Sequence, residues 1–460
     1  MHTGGILCSG DPDPPPTIPA DYVDYRGLAT ESDVMPLVGG TFSLGTFLDG
    51  SRGPRQDLGV TFDTLRRHAA IVGSTGSGKT RGVLIPWIAT ALRSGASVIA
   101  VDIGGDLLSD LARFAQSDGR IGVSCSKWDY SDPANSSRWS WLRALDSDEA
   151  IVAAVDATHG KVRPNDPQPY FDRRDAGVLR GLIQLAIETG AARTGRELLA
   201  LLRDQQRLED LAYMHPRSSA VGLLSDVLGL PAGEYQRAVS GIMNDLEIWD
   251  HDGLETVTAT EEGIDLDLVL TQPHLLFLGS PLFGGRISEA SSALLLSQLI
   301  HRLYRRPSAP YGVHVFRVKE EVARLASRLP LEELLSVSRE SGVSVILALQ
   351  DVAQFEDENE RLAILGNCST YVGMPTGSIA SGKYLMDRLG DRFQSSFAVT
   401  QSSNTAFSGG WSKSRNISTV PVLGGREIME PAVGQRPAIV HSPQLVPKPI
   451  LVDLYRPEWA

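Results

Sequence analysis

The stretch that most limits what this chain can become is RHAAIVGSTGSGKTRGVLIPWIATAL, from Arg67 to Leu92. An apolar run, Ala69 to Val72, enters the octet Gly73, Ser74, Thr75, Gly76, Ser77, Gly78, Lys79, Thr80, and a helical apolar pattern leaves it. Strand, glycine-rich turn and helix in that order make a phosphate-binding loop. The glycines let successive N–H groups converge on an anion, and the helix adds the positive end of its dipole. Lys79 supplies a cation to β- and γ-phosphate oxygens, and the Thr80 hydroxyl is suited to ligate Mg²⁺. A dinucleotide-binding turn is the other glycine-rich choice, but GKT stands where that turn needs a third spaced glycine. The pattern predicts ATP and Mg²⁺ as ligands and an α/β fold with a mostly parallel central sheet.

Further motifs continue such a sheet. ASVIAVDIGGDLLSDLARFA reads as a strand ending at Asp102, a glycine turn and a helix with Asp106 near its start. Asp102 falls at the carboxyl edge of the sheet, where open α/β folds bind ligands, and is a candidate nucleotide-site residue or a turn-forming acid. From about residue 150 to 265 the apolar residues recur at helical spacing, which predicts an all-α insertion. The sheet resumes at PHLLFLGS, and a helix over about 287–304 follows. Val343 to Leu349 is a continuous apolar strand, and Gln350 at its end would lie beside the phosphate loop of a parallel sheet, placed to sense a γ-phosphate. The domain plan we expect is a lead-in with short strands over 1–62, nucleotide-binding halves over 63–150 and 266–460, and the helical insertion over 151–265.

Composition narrows the setting. With 42% hydrophobic and 21% charged residues in 460, the chain has a globular composition and length for about three domain-sized units. A net charge of −12 argues against coating nucleic acid through a broadly basic surface, while leaving a basic pore open. No apolar run approaches the roughly 18 residues a membrane span needs, and the proline-rich start lacks a secretory pattern. We therefore expect a cytoplasmic protein whose membrane association comes through a partner. Cys8, Cys125 and Cys368 are odd in number and widely spaced, predicting neither disulfide nor zinc site.

On GSTGSGKT, VDIGGDLLSDL, EEVARL, LEELLSVSRESGVSVILALQDVAQ and LGNCSTYVGM, in that order, the chain resembles the type IV secretion coupling proteins of the TraG/TraD class. The resemblance runs from about residue 65 to the C-terminus and extends to the helical insertion. It implies a RecA-like P-loop ATPase, related to the FtsK and HerA translocases, that assembles as a hexamer and drives DNA with its attached relaxase toward a secretion channel. Carried over by position, Glu320 would be the Walker B metal ligand, Glu321 the catalytic base, Gln350 the sensor, and Arg339 an arginine finger offered to the neighbouring subunit.

Three departures stand out. The family carries a membrane-spanning N-terminal segment with no counterpart here, its second block has a Lys where this chain has Gly104, and its Walker B strand ends in an Asp–Glu pair. FRVKEEVARL instead places Glu320 at the Asp position, one methylene longer, with Arg317 and Lys319 interrupting the apolar run. Hydrolysis is expected to survive at reduced rate. Two alternatives stay open: a HerA- or FtsK-like double-strand DNA pump, which would want an N-terminal β-barrel, and a non-hydrolysing ATP-binding adaptor for secretion or defence. Single- and double-stranded DNA are not distinguished. The Ser-, Asn- and Gly-rich stretch 400–420, with Trp411, Lys413 and Arg415, is expected to be a surface loop.

Overall fold

Strand β3 (Ala69–Val72) is buried along its whole length and sends alternate side chains into two separate cores. Ala70 and Val72 enter one, Ala69 and Ile71 the other. The same alternation recurs in β4 (Ser97–Ile103), where Ile99 and Val101 oppose Val98 and Ala100, and in β8 (Val343–Leu349). A strand covered on both faces has no solvent side, which is why these runs read as continuously apolar. Each fully buried Val, Leu or Ile contributes about 1.5–3 kcal/mol.

The computed structural model describes residues 27–48, 56–103, 107–117, 122–162, 169–281, 284–305, 313–318, 328–329, 331–355, 357–404, 408–429 and 436–454. Its main sheet has eleven strands. Seven run parallel in the order β9 (Thr370–Gly373), β3, β8, β7 (Val313–Val318), β4, β6 (His274–Ser280), β5 (Ser124–Trp128). Beyond β9 four antiparallel strands continue the sheet: β12 (Pro437–Ser442), β13 (Val446–Asp453), β1 (Phe42–Phe47) and β2 (Asp57–Val60). The phosphate-loop strand is thus central, flanked by β8 and β9, and all parallel strands present their carboxyl ends to one edge.

Helices Ile85–Arg93 and Leu107–Ser117 cover one face. Trp87 Nε1 donates to the Ser43 carbonyl at 2.6 Å, tying the first of them to β1. The other face meets helix Gly285–Arg305 and, through it, the helices between β5 and β6. These, from Asp148–His159 to Leu266–Thr271, share one continuous apolar core with that sheet face, from Val101 and Leu294 to Leu182 and Trp249. Asp245, buried at the end of helix Ala232–Leu246, accepts from Arg286 at the start of the sheet-packed helix and pairs with His159. Asp245 thus joins three helices at one carboxylate.

The stretch around 400–420 is a correction. Asp391–Asn404 (β10) and Ser408–Pro421 (β11) pair antiparallel over their full length as a separate two-stranded ribbon. Its register alternates apolar with Ser, Thr, Gln and Asn, setting Phe393 opposite Thr419 and Ile417 opposite Ser395. Among the described side chains of the ribbon, Phe393 and Ile417 are 58% and 59% exposed.

Candidate functional site

The octet closes into a loop because Gly76 and Gly78 take φ of 78° and 95°, left-handed values that a side chain at Cβ would strain. The turn is held by Ser77 N–H on the Ser74 carbonyl at 3.1 Å, and Gly73 N–H donates to Leu349 of β8 at 3.1 Å. The helix leaves the loop through a π-turn, with Ile85 N–H on the Thr80 carbonyl, a widened turn frequent at functional sites. Lys79, 8% exposed, sends Nζ back over the loop to the carbonyls of Gly73 and, at 2.9 Å, Ser74.

Around this loop is a cleft of about 360 Å³ lined by Thr75, Gly76, Gly78, Lys79, Thr80, Arg81, Asp102, Leu107, Asp110, Gln350 and Arg436. Asp102 stands at the end of β4, 1% exposed, and its Oδ2 accepts the Leu107 N–H at 2.9 Å. The carboxylate therefore caps the following helix as well as walling the cleft. The expected start at Asp106 lies outside the described residues, as does Gly104. Gln350 follows β8, and the Thr75 hydroxyl donates to its Oε1 at 2.7 Å. Gln350 and the phosphate loop are in direct contact. One residue on, burial alone would raise the Asp351 carboxyl. Hydrogen bonds from Ala353 N–H and from Ser378 and Ser381 outweigh it and hold the group below the usual carboxylate range.

Three lining residues carry no motif signal. Arg81 grips Asp110 with two bonds, Nε at 2.9 Å and Nη2 at 3.2 Å, joining the phosphate-loop helix to helix Leu107–Ser117. Arg81 directly follows the octet and Asp110 sits in LLSDL, so their blocks were visible though the pairing was not. Arg436 directly precedes β12, far along the chain, and nothing in its local sequence marks it.

Other candidates fall elsewhere. Glu320 and Glu321 lie outside the described residues, with Lys319; Arg317 is in β7, in register with Val101 and Leu347. Arg339 is exposed in the turn between helix Leu331–Val337 and β8, at the amino edge of the sheet. Seven strand residues, roughly 20 Å, separate it from the phosphate-loop edge. The fold does not bring Arg339 into this chain's own cleft.

The donor set suits a polyphosphate. Convergent loop N–H groups, Lys79 and Arg436 meet with Arg81 already matched to Asp110, and one buried guanidinium atom, Arg436 Nη1, has no protein partner. The Thr80 hydroxyl and the Asp102 carboxylate are oxygen groups of the kind Mg²⁺ takes, directly or through water.

Residues 39–207 match the family model for type IV secretory system conjugative DNA transfer, and residues 314–432 match that for the TraM recognition site of TraD and TraG. Together they span well over half of the chain. Among solved structures, the bacterial conjugative coupling protein TrwBdeltaN70 in its unbound monoclinic form aligns with a TM-score of 0.64 at 17% identity, covering 85% of this chain and 86% of that one. The plasmid coupling protein TrwB in complex with ADP and Mg²⁺ aligns with a TM-score of 0.65 at 17% identity over 86% and 87%. VirB4 of Thermoanaerobacter pseudethanolicus aligns with a TM-score of 0.52 at 14% identity over 92% and 98%. At these identities the structures establish the fold, a RecA-like α/β P-loop architecture. No curated protein matches the chain. Among the described residues no helix is long and apolar enough to cross a membrane. With both family models matched in chain order, the first running into the inserted helices and the second starting in β7, the chain belongs to the TraG/TraD class of type IV secretion coupling proteins.

Proposed function

We propose that the chain is the coupling ATPase of a conjugative type IV secretion system, binding ATP and Mg²⁺ in the cleft and using hydrolysis to move DNA, with its relaxase, toward the channel. The observation that carries this reading is the Thr75–Gln350 hydrogen bond. It joins the loop that holds phosphate to the end of the strand whose continuation, through Asp351 and Ser381, reaches the helix Ile379–Leu389. A protein that only stores nucleotide has little use for such a link.

Each residue has a physical task. The loop N–H groups cradle the α- and β-phosphates, Lys79 reaches the β- and γ-phosphates, and Thr80, Glu320 and Asp102 would hold Mg²⁺ directly or through water. When bound, Mg²⁺ neutralises charge on the bridging phosphate oxygens. Glu321 orients the attacking water and takes its proton, and Gln350 reports the terminal phosphate. Arg339, remote from its own cleft, serves the cleft of the next subunit in a homo-hexamer, where a finger offered in trans couples firing to assembly. Solved TrwB structures hold ADP with Mg²⁺ and the ATP analogue ADPNP, which supports this ligand set.

The HerA-like alternative would call for an N-terminal β-barrel. Among the described residues, β1 and β2 instead extend the motor's own sheet. The adaptor alternative draws on the Glu320 departure and on the net charge of −12. Displacement of streptavidin from biotinylated single- and double-stranded DNA separates a motor from the adaptor. ATP-dependent displacement, lost in Lys79→Ala, is the expected result; DNA binding without displacement at any ATP concentration would contradict the motor.

A further inference from the structure

We propose that Arg436 is a nucleotide ligand supplied in cis by the antiparallel half of the sheet, binding the α- and β-phosphates common to ATP and ADP. The inference rests on the nucleotide reading of the cleft and goes beyond it. Arg436 lies past the segments matched by both family models, and no motif identifies it.

Four observations converge. Arg436 lines the same cleft as Lys79 and Thr80. Its Nη1 is buried without a hydrogen-bond partner, a costly condition for a guanidinium donor unless an anion completes it. The side chain lies along Gly78: a Cβ built there would stand 3.8 Å from Nη1 and 4.0 Å from Cδ. Finally, its backbone is fixed at the head of β12. The Arg436 N–H donates to Asp453 Oδ1 at 2.6 Å, and the Leu454 N–H donates to the Arg436 carbonyl at 3.0 Å. A long side chain rooted in a rigid strand pair gives up less freedom on reaching a ligand than one rooted in a loop.

Position along the loop assigns the phosphate. In a loop of this type the backbone N–H groups cradle the α- and β-phosphates, and the lysine reaches onward to β and γ. Arg436 stands beside Gly78, at the helix end of the loop, whereas Gln350 is bonded to Thr75, nearer its start. The guanidinium fork matches two phosphate oxygens at once. Arg436 therefore stabilises the diphosphate whatever the state of the γ-phosphate, and Gln350 responds to the γ-phosphate alone. Because Arg436 directly precedes β12, bound nucleotide would also brace the antiparallel strands that end in β1 and β2.

The test is binding of ADP and of a non-hydrolysable ATP analogue, each with Mg²⁺, by titration calorimetry on the full chain. Arg436→Ala is expected to weaken both ligands alike, on the order of tenfold or more. Arg436→Lys should restore only part, since a point charge replaces a fork. Gln350→Ala should weaken the analogue and spare ADP. Wild-type ADP affinity in Arg436→Ala would overturn the proposal, as would full recovery by Arg436→Met at an unchanged unfolding midpoint, which would make the residue a packing element. Lys79→Ala separates the two levels of argument: if it too binds like wild type, the nucleotide reading of the cleft fails, not just the role of Arg436.

Discussion

His68 is the residue that enters the phosphate-loop strand, and it does so in a left-handed conformation, φ 61°, unique among the described non-glycine residues. The ring explains why the backbone accepts this. Buried at 2% exposure, it donates from Nε2 to the Leu335 carbonyl at 2.8 Å and accepts the Val345 N–H at Nδ1 at 3.1 Å. It clamps the helix before Arg339 and strand β8 onto β3. Burial foremost, aided by the Arg339 charge against the opposing pull of the Leu335 carbonyl, lowers its pKa to about 4. The sign follows. The folded state disfavours the proton, so the contribution of His68 is whole above the unfolded value near 6.5 and is lost as pH falls from there through about 4. The full loss corresponds to about 3 kcal/mol. Denaturant unfolding at pH 7.5 and pH 5 should show the wild type losing more stability than His68→Asn, a substitution that tolerates the left-handed backbone. Equal losses would show that His68 does not carry the effect. Sequence order alone could not reveal the clamp, since its partners lie some 270 positions away.

At the scale of elements, what was legible tracks how strongly each segment depends on its own residues. The strand–loop–helix at 69–93 and the strand Val343–Leu349 declare themselves because burial on two faces demands unbroken apolar runs. Gln350 and Asp102 could be placed at the cleft from strand ends alone. The ribbon β10–β11 was not legible, because its strands are written largely in Ser, Thr and Asn, the residues that also write loops. Nor was Arg436, whose proximity to Gly78 arises from β9, β12 and β13 being neighbours. Two substitutions probe the elements. A Cβ on Gly195, which opens helix Gly195–Arg203, would stand 2.5–2.7 Å from Trp249, itself stacked on Trp141 at 5.1 Å. Gly195→Ala should cost about 1–3 kcal/mol in urea unfolding, against near neutrality for Gly190→Asn at an open left-handed position. Ser381, fully buried, bonds Val352 N–H at 3.0 Å and Asp351 at 2.8 Å. Ser381→Ala orphans that N–H and should destabilise by about 1–3 kcal/mol in the same assay; an unchanged midpoint would show that the link bears no strain.

For the whole molecule, the separation between Arg339 and the cleft is the most consequential fact. Gln350 and the phosphate loop meet within one chain, while the proposed finger stands at the opposite edge of the sheet, so the proposed mechanism draws each working site from two copies. Mixing Lys79→Ala with Arg339→Ala subunits should therefore recover part of the turnover that each lacks alone. No recovery would confine the finger to another residue. Hydrolysis itself is the point most at stake, because FRVKEEVARL departs from the family's usual acid pair. The decisive measurement is steady-state ATP turnover by the purified chain, with and without single- and double-stranded DNA, beside Lys79→Ala and Glu321→Gln. A coupling motor should show DNA-stimulated turnover that both substitutions abolish, with Glu320 serving as the metal-side acid. Turnover equal to that of both variants under every condition, including concentrations that force assembly, would contradict it and leave an ATP-binding adaptor on a motor's fold.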